Sequence, residues 1–145
     1  MTDLPDVNVW LALADENHAH HETAKAYWQH RSYPQIVFCR VTALAFLRLS
    51  THPKVLSRPL DVNEAWEIYQ RYRNECAVGF MEDSQDVDDL FMDMSRMTDF
   101  AHHLWTDCYL AALARCRSCR IVSFDTDFQR FPELDFLHLP ASAHW

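Results

Sequence analysis

Apolar residues occur in this chain in two patterns, short continuous runs and longer stretches with helical spacing. The runs at residues 35–39, 77–81 and 120–124 are rich in β-branched and aromatic residues, which predicts three strands. A further strand is expected to begin at residue 6 as a buried run and to pass into a turn by residue 13. An edge strand is expected at residues 134–139.

Helical spacing of apolar residues predicts helices at 20–30, 41–50, 61–74, 86–97 and 106–116. Pro53 stops the second of these, because proline does not continue a helix. The third begins with Asp61 and Glu64, which have the spacing of a capping box. Since strands alternate with helices, we predict an α/β fold with a central parallel sheet covered by helices on both faces.

The composition is that of one packed domain spanning residues 1–145. A hydrophobic content of 49% suits a core, and a chain of this length buries about two-thirds of the surface that it exposes when unfolded. No apolar run approaches the roughly 20 residues that span a bilayer, and no signal peptide is evident. The five cysteines are odd in number and lie mostly in apolar segments, which is typical of reduced thiols. We therefore expect a cytoplasmic protein.

Four aspartates stand where strands or helices are expected to begin or end: Asp6, Asp107, Asp125 and Asp127. The carboxyl ends of the strands in an α/β sheet form one ligand-binding edge, so carboxylates far apart in sequence can share a pocket there. Such a group repels itself unless a divalent cation neutralises it, and Mg²⁺ or Mn²⁺ suits oxygen ligands. The pattern indicates a metal-dependent hydrolase that acts on a phosphate ester.

Each aspartate also has a purely structural interpretation. Asp6 is a candidate helix N-cap, and Asp107 lies in the first turn of a helix, although Thr106 is an equally good cap there. Asp127 is a candidate cap of the short turn that follows it. Asn8 could hydrogen-bond to Asp6, but asparagine near a strand end is more often part of a turn.

Four segments keep the order and spacing of one protein family: Leu4-Pro5-Asp6-Val7-Asn8-Val9-Trp10-Leu11, Phe46-Leu47-Arg48-Leu49-Ser50-Thr51-His52-Pro53, Leu104-Trp105-Thr106-Asp107-Cys108-Tyr109-Leu110-Ala111-Ala112 and Ser123-Phe124-Asp125-Thr126-Asp127-Phe128. In them the chain resembles the PIN-domain toxins of the VapC type. The resemblance implies a three-layer αβα PIN-like fold. It also implies a metal-dependent endoribonuclease, the toxin of a type II toxin–antitoxin system, which hydrolyses structured RNA such as tRNA or rRNA.

The resemblance also assigns roles to the aspartates. Asp6 and Asp107 would hold a Mg²⁺ or Mn²⁺ ion, and Asp125 would complete its ligand shell or orient the attacking water. Asp127 is a further candidate catalytic residue, because the family often has an acid at its position.

Two partners besides RNA follow from the resemblance, a cognate VapB-like antitoxin and a second copy of the chain in a homodimer. A groove for the antitoxin is expected on the helices predicted at 41–50 and 61–74. These helices carry many large apolar residues, which ordinary core packing would explain equally well: Phe46, Leu47, Leu49, Trp66, Ile68 and Tyr69.

The chain departs from the family at one acidic position. VapC-type enzymes usually carry a glutamate early in the helix predicted at 41–50, where this chain has Ala45 or Phe46. Neither side chain can bind metal, so we expect one weakly bound ion instead of two tightly bound ones. Thr42, Asp99 and Glu82 are candidates to compensate.

The net charge of −8 is unusual for a protein that binds nucleic acid. RNA binding would then depend on local groups of basic residues and would be weak and salt-sensitive. Two such groups are candidates: Arg115, Arg117 and Arg120, and Arg40, Arg48, Lys54 and Arg58.

Two other functions stay open at this stage. One is a non-catalytic PIN scaffold that binds RNA or an antitoxin, which the missing glutamate and the acidic balance favour. The other is a metal-dependent phosphatase of another α/β fold. Phosphatases with an N-terminal aspartate nucleophile need a second acid two residues later, where this chain has Asn8.

Overall fold

Five short strands form one parallel sheet. The computed structural model describes residues 1–31, 35–97 and 99–140. The strands are β1 (Thr2–Pro5), β2 (Gln35–Cys39), β3 (Val78–Met81), β4 (Arg120–Ser123) and β5 (Phe136–His138). Their order in the sheet is β3-β2-β1-β4-β5, and every neighbouring pair is parallel. The predicted parallel sheet is therefore confirmed, with β1 at its centre and β5 at one edge.

Helices cover both faces of this sheet. They are α1 (Val7–Ala14), α2 (His21–His30), α3 (Arg40–Ser50), α4 (Val62–Asn74), α5 (Val87–Ser95) and α6 (Trp105–Arg117). The first four share a buried cluster with one face of the sheet, in which Trp10 stacks on Phe38 with ring centroids 4.0 Å apart. The last two pack with the opposite face, where Met94 and Leu110 are buried. One sheet between two layers of helices is the predicted three-layer αβα arrangement.

The first helix differs from the sequence-based expectation. The strand β1 ends at Pro5 and residues 7–14 are helical, so the strand expected from residue 6 is wrong. Residues 9–12 are all buried, which leaves α1 without the polar face that produces a helical pattern. A short apolar run of this kind cannot be assigned to a strand or a buried helix by periodicity alone.

The other predicted helices correspond to α2 through α6, with ends that differ by a few residues. The capping box is present: Asp61 accepts a hydrogen bond of 2.8 Å from the N–H of Glu64, which accepts one of 3.2 Å in return. The longest helices, α4 and α6, have 13 residues. Within the described ranges, no helix combines the length and the apolar character that crossing a membrane requires.

A buried carboxylate ties the central strand to its surroundings. Asp3 of β1 is fully buried, with 0% of its surface exposed. Nε and Nη2 of Arg120 in β4 donate to its two oxygens over 2.9 and 3.0 Å. The hydroxyl of Tyr27 in α2 donates a third bond of 2.6 Å. These bonds join two strands and a helix, and they satisfy a charge that would otherwise be costly to bury.

Candidate active site

Three aspartates meet at the carboxyl edge of the sheet. Asp125 follows β4, Asp127 lies in the 3₁₀ helix Thr126–Arg130, and Asp107 is the third residue of α6. One carboxylate oxygen from each lies within 4.8 Å of the others. We call these three residues the acidic cluster. The fold thus brings together three of the four aspartates singled out in the sequence.

Asp6 lies beside the acidic cluster. Its backbone N–H donates to the carbonyl of Val122 in β4 over 2.8 Å, which places it at the junction of β1 and β4. Its carboxylate caps α1 by accepting a 2.8 Å hydrogen bond from the N–H of Val7, so the capping interpretation is correct. The same carboxylate acts electrostatically on Asp107 and is itself affected by the charge of Asp125. Asp6 therefore caps α1 and at the same time contributes its charge to the surroundings of the acidic cluster.

Ser123, the last residue of β4, links Asp6 to the acidic cluster. Its hydroxyl donates to Oδ2 of Asp6 over 2.9 Å and accepts bonds of 3.0 Å from the side-chain amide of Asn8 and from the N–H of Asp125. One donor and two acceptor positions are all that a hydroxyl offers, so this side chain is fully engaged. Sequence reasoning missed this residue. The available signal was a polar side chain that ends an apolar strand two positions before an aspartate.

Two candidate caps named from the sequence do not cap their helices. Asp125, and not Asp127, caps the 3₁₀ helix, with a 2.8 Å bond from the N–H of Asp127 to its Oδ1. Thr106 is no cap either, because α6 begins at Trp105, directly after the 3₁₀ helix His102–Leu104, without a side-chain cap. Asp107 is therefore not engaged in capping, and its carboxylate joins the acidic cluster.

Without a cation between them, the carboxylates of the acidic cluster repel one another. Burial, followed by the charges of Asp6, Asp125 and Asp127, raises the pKa of Asp107 to about 7, and the charge of Arg130 opposes this rise. Burial also raises the pKa of Asp6, against the hydrogen bonds that it accepts from Ser123 and Val7. Carboxylates crowded in this way favour either a proton or a metal ion between them.

The donor set suits a small divalent cation. Mg²⁺ binds oxygen ligands at about 2.0–2.1 Å, so two ligands on opposite sides of one ion lie roughly 4 Å apart. Oxygens already within 4.8 Å of one another reach that geometry by small side-chain rotations. All three donors are carboxylates, which hard cations such as Mg²⁺ and Mn²⁺ prefer. The chemistry and spacing of the acidic cluster therefore fit a small divalent metal ion.

The position of the family's glutamate carries no replacement acid. Phe46 is fully buried in the core and Ala45 is half-buried. The hydroxyl of Thr42 is engaged with the backbone of Cys39, as donor over 3.2 Å and as acceptor over 3.0 Å. Asp99 and Glu82 are exposed and lie outside the acidic cluster. The three candidates for compensation therefore do not fill this position.

All three arginines of the first predicted basic group make polar contacts within the protein. Arg115 pairs with Glu133 over 2.7 Å, and Arg120 pairs with buried Asp3. Arg117 donates to backbone carbonyls of residues 82 and 83. In the second group, Arg58 pairs with Glu64. RNA binding by the first group as a free basic surface is therefore not supported.

Comparisons with known proteins confirm the resemblance. A protein-family model described as "PIN domain" matches residues 4–134. The curated protein "Ribonuclease VapC41" of Mycobacterium tuberculosis is 32% identical over 134 residues, which cover 88% of this chain and 92% of that protein. Among solved structures, M. tuberculosis VapC20, described as a sarcin–ricin loop cleaving toxin, has a TM-score of 0.69 at 18% identity, covering 91% of this chain and 98% of that one. A toxin–antitoxin complex from Klebsiella pneumoniae has a TM-score of 0.63 at 14% identity, covering 93% and 95%.

Proposed function

Because the chain belongs to the PIN-domain family, we propose that it is a divalent-metal-dependent endoribonuclease, the toxin of a type II toxin–antitoxin system. The observation that carries this proposal is the convergence of Asp107, Asp125 and Asp127 at the sheet edge within 4.8 Å. A relative of similar length and 32% identity is named a ribonuclease, which supports RNA as the substrate. Structured RNA such as tRNA or rRNA is the substrate class that we propose.

In this proposal the acidic cluster holds one Mg²⁺ or Mn²⁺ ion, and Asp6 completes the site. When bound, the ion would supply a Lewis acid that polarises a phosphoryl oxygen and lowers the pKa of a water molecule. Ser123 donates a 2.9 Å hydrogen bond to the carboxylate of Asp6, which holds this carboxylate in place beside the acidic cluster. The N–H of Asp127 fixes Asp125 in the same way over 2.8 Å. These bonds pre-organise the charges before substrate arrives.

The direct test is cleavage of purified tRNA and rRNA by the isolated protein. We expect cleavage with Mg²⁺, faster cleavage with Mn²⁺ at equal concentration, and none with EDTA. Mn²⁺ stands above Mg²⁺ in affinity for most sites, and here the family's glutamate is missing, so metal affinity limits the rate. RNA fragments that form equally in EDTA would contradict the proposal.

A non-catalytic PIN scaffold is the second candidate, and burial of Phe46 at the glutamate position favours it. The same experiment decides between the two, because a scaffold binds RNA or antitoxin and leaves the RNA intact with either metal.

The antitoxin is proposed to bind an apolar surface on α3 and α4. Phe46 and Tyr69 are buried in the core, and Leu47, Leu49 and Ile68 pack against it, so core packing explains these five. Trp66 is different, with 47% of its surface exposed, and exposed Leu44 and Val62 belong to the same two helices. We call these three residues the α3–α4 surface. The solved toxin–antitoxin complex of similar fold supports a protein partner, while the expected homodimer stays a prediction.

Replacing Trp66 by alanine should weaken binding of the cognate antitoxin by about 30-fold or more. Truncation of a hot-spot residue, a class enriched in tryptophan, typically costs about 2 kcal/mol of binding free energy or more. The measurement is calorimetric titration of the protein with its cognate VapB-like antitoxin. Trp105→Ala is the matched control, because Trp105 is similarly exposed, at 51%, but lies at the start of α6. Equal antitoxin affinity of both variants and the unmodified protein would exclude the α3–α4 surface.

A further inference from the structure

A basic side chain stands within the acidic site. The 3₁₀ helix Thr126–Arg130 places Asp127 and Arg130 three residues apart. Residues at this spacing lie above one another in a 3₁₀ helix, so both side chains project in the same direction. Nη2 of Arg130 lies 3.4 Å from Oδ1 of Asp127, and about a third of each side chain is exposed. Arg130 therefore borders the acidic cluster and is partly exposed to solvent.

The contact between Arg130 and Asp127 is loose. The other three ion pairs between described residues are 2.7, 2.7 and 2.9 Å long, within the range of strong charge-assisted hydrogen bonds. The 3.4 Å contact uses one of the five N–H donors of a guanidinium, and this guanidinium makes no second hydrogen bond to the part of the chain that the structure describes. Most of its donors are thus available to another anion.

A cation in the acidic cluster would loosen this contact further. A divalent ion and a guanidinium compete for the carboxylate of Asp127, and they repel each other at close range. The guanidinium then needs a different anion nearby. A phosphodiester that reaches the cluster must also approach Asp6, Asp107, Asp125 and Asp127, whose charges repel it. A guanidinium beside the acidic cluster would pair with the phosphodiester and would also offset this repulsion.

We propose that Arg130 binds the scissile phosphate of the RNA and is a further catalytic residue of this enzyme. This inference rests on the proposed function. The oxygen of water loses a proton and forms a bond to phosphorus, while the bond from phosphorus to the leaving ribose oxygen breaks. That leaving oxygen takes up a proton, so the number of protons is unchanged. Negative charge grows on the non-bridging oxygens in the transition state, and the planar guanidinium donates hydrogen bonds to them.

Arg130→Gln gives opposite effects on two measurements. RNA cleavage in saturating Mn²⁺ should slow by roughly 10²- to 10³-fold, the usual cost of losing one donor to a transition-state oxyanion. Calorimetric titration of the RNA-free protein with Mn²⁺ should show tighter binding, by about tenfold, because the guanidinium that repels the ion and competes for Asp127 has been removed. Replacement of a residue that only maintains the fold of the site would instead slow cleavage and weaken Mn²⁺ binding.

Two further variants complete the experiment. Arg130→Lys keeps the charge but not the planar donors, so Mn²⁺ affinity should stay unchanged while cleavage slows less than in Arg130→Gln. Arg71→Gln removes an exposed arginine of α4 that belongs to neither basic group, and it should change neither measurement. Cleavage by Arg130→Gln at the unmodified rate would overturn the inference, and so would loss of Mn²⁺ affinity together with cleavage. If the unmodified protein leaves RNA intact, the proposed function itself fails, and the inference fails with it.

Discussion

Replacing Asp107 by asparagine is expected to abolish RNA cleavage, with a loss on the order of a thousandfold, while the protein remains folded. Asp107 contributes one of the three oxygens of the acidic cluster. An amide has no negative charge to offset the dehydration of Mg²⁺, which gives up its water reluctantly. The change keeps the size of the side chain, and Asp107 makes no capping bond that the helix would lose. Cleavage of tRNA and rRNA in Mn²⁺, followed on denaturing gels, measures the effect.

Asp93→Asn is the matched control for this prediction. It makes the same change of charge on α5, at an exposed position outside the acidic cluster. We expect its cleavage rate to equal that of the unmodified protein. If Asp107→Asn also cleaves at that rate, Asp107 does not serve the chemistry, and the metal site would need other ligands.

The substitution Asp107→Asn also has an effect on stability that depends on pH. The pKa of Asp107 is about 7 in the folded protein, against an ordinary value of 3.8. Between these values the folded protein holds a proton that the unfolded chain releases, so stability falls as the pH rises from about 4 to about 7. Without metal, Asp107→Asn should therefore melt at a higher temperature than the unmodified protein at about pH 8, and the two should converge near pH 4. Thermal melting in EDTA at both pH values checks the sign.

The positions of the acidic residues were predictable from the sequence because chain topology fixes them. A carboxylate directly after a buried strand must lie at the carboxyl edge of a parallel sheet, which is where Asp125 is found. Asp107 was predictable from its place in the first turn of an apolar helix and from the resemblance. That residues 1–145 form a single domain stays a prediction.

Other features of the site required coordinates. Ser123 acts through hydrogen bonds to Asp6 and Asn8, residues more than 100 positions away in sequence, and no local pattern reports such pairs. Arg130 joins the site only because residues 126–130 form a 3₁₀ helix instead of the unspecified turn that the sequence indicated. The first helix was mistaken for a strand because burial on nearly all sides hides helical periodicity.

The buried Asp3 was not singled out by the sequence, since aspartate is almost never fully buried unless it is paired. Its replacement is expected to have the largest effect on stability. Asp3→Asn should lower the free energy of unfolding by about 3–5 kcal/mol, the usual cost of removing one partner of a buried ion pair. The asparagine amide would direct its own N–H groups towards donors of Arg120 and Tyr27, which now make bonds of 2.6–3.0 Å to the carboxylate.

Thermal melting of Asp3→Asn should show a midpoint lower by roughly 10 °C or more, as this loss implies for a domain of about this size. Glu133→Gln provides the comparison, because it also removes the acid from an arginine ion pair, but one whose glutamate side chain is 79% exposed. Exposed pairs contribute at most about 1 kcal/mol, so its midpoint should fall by only a few degrees. Equal melting midpoints for the two variants would mean that the buried Asp3 pair stabilises the protein no more than an exposed pair does. Packing around β1 would then hold the sheet together without the Asp3 pair.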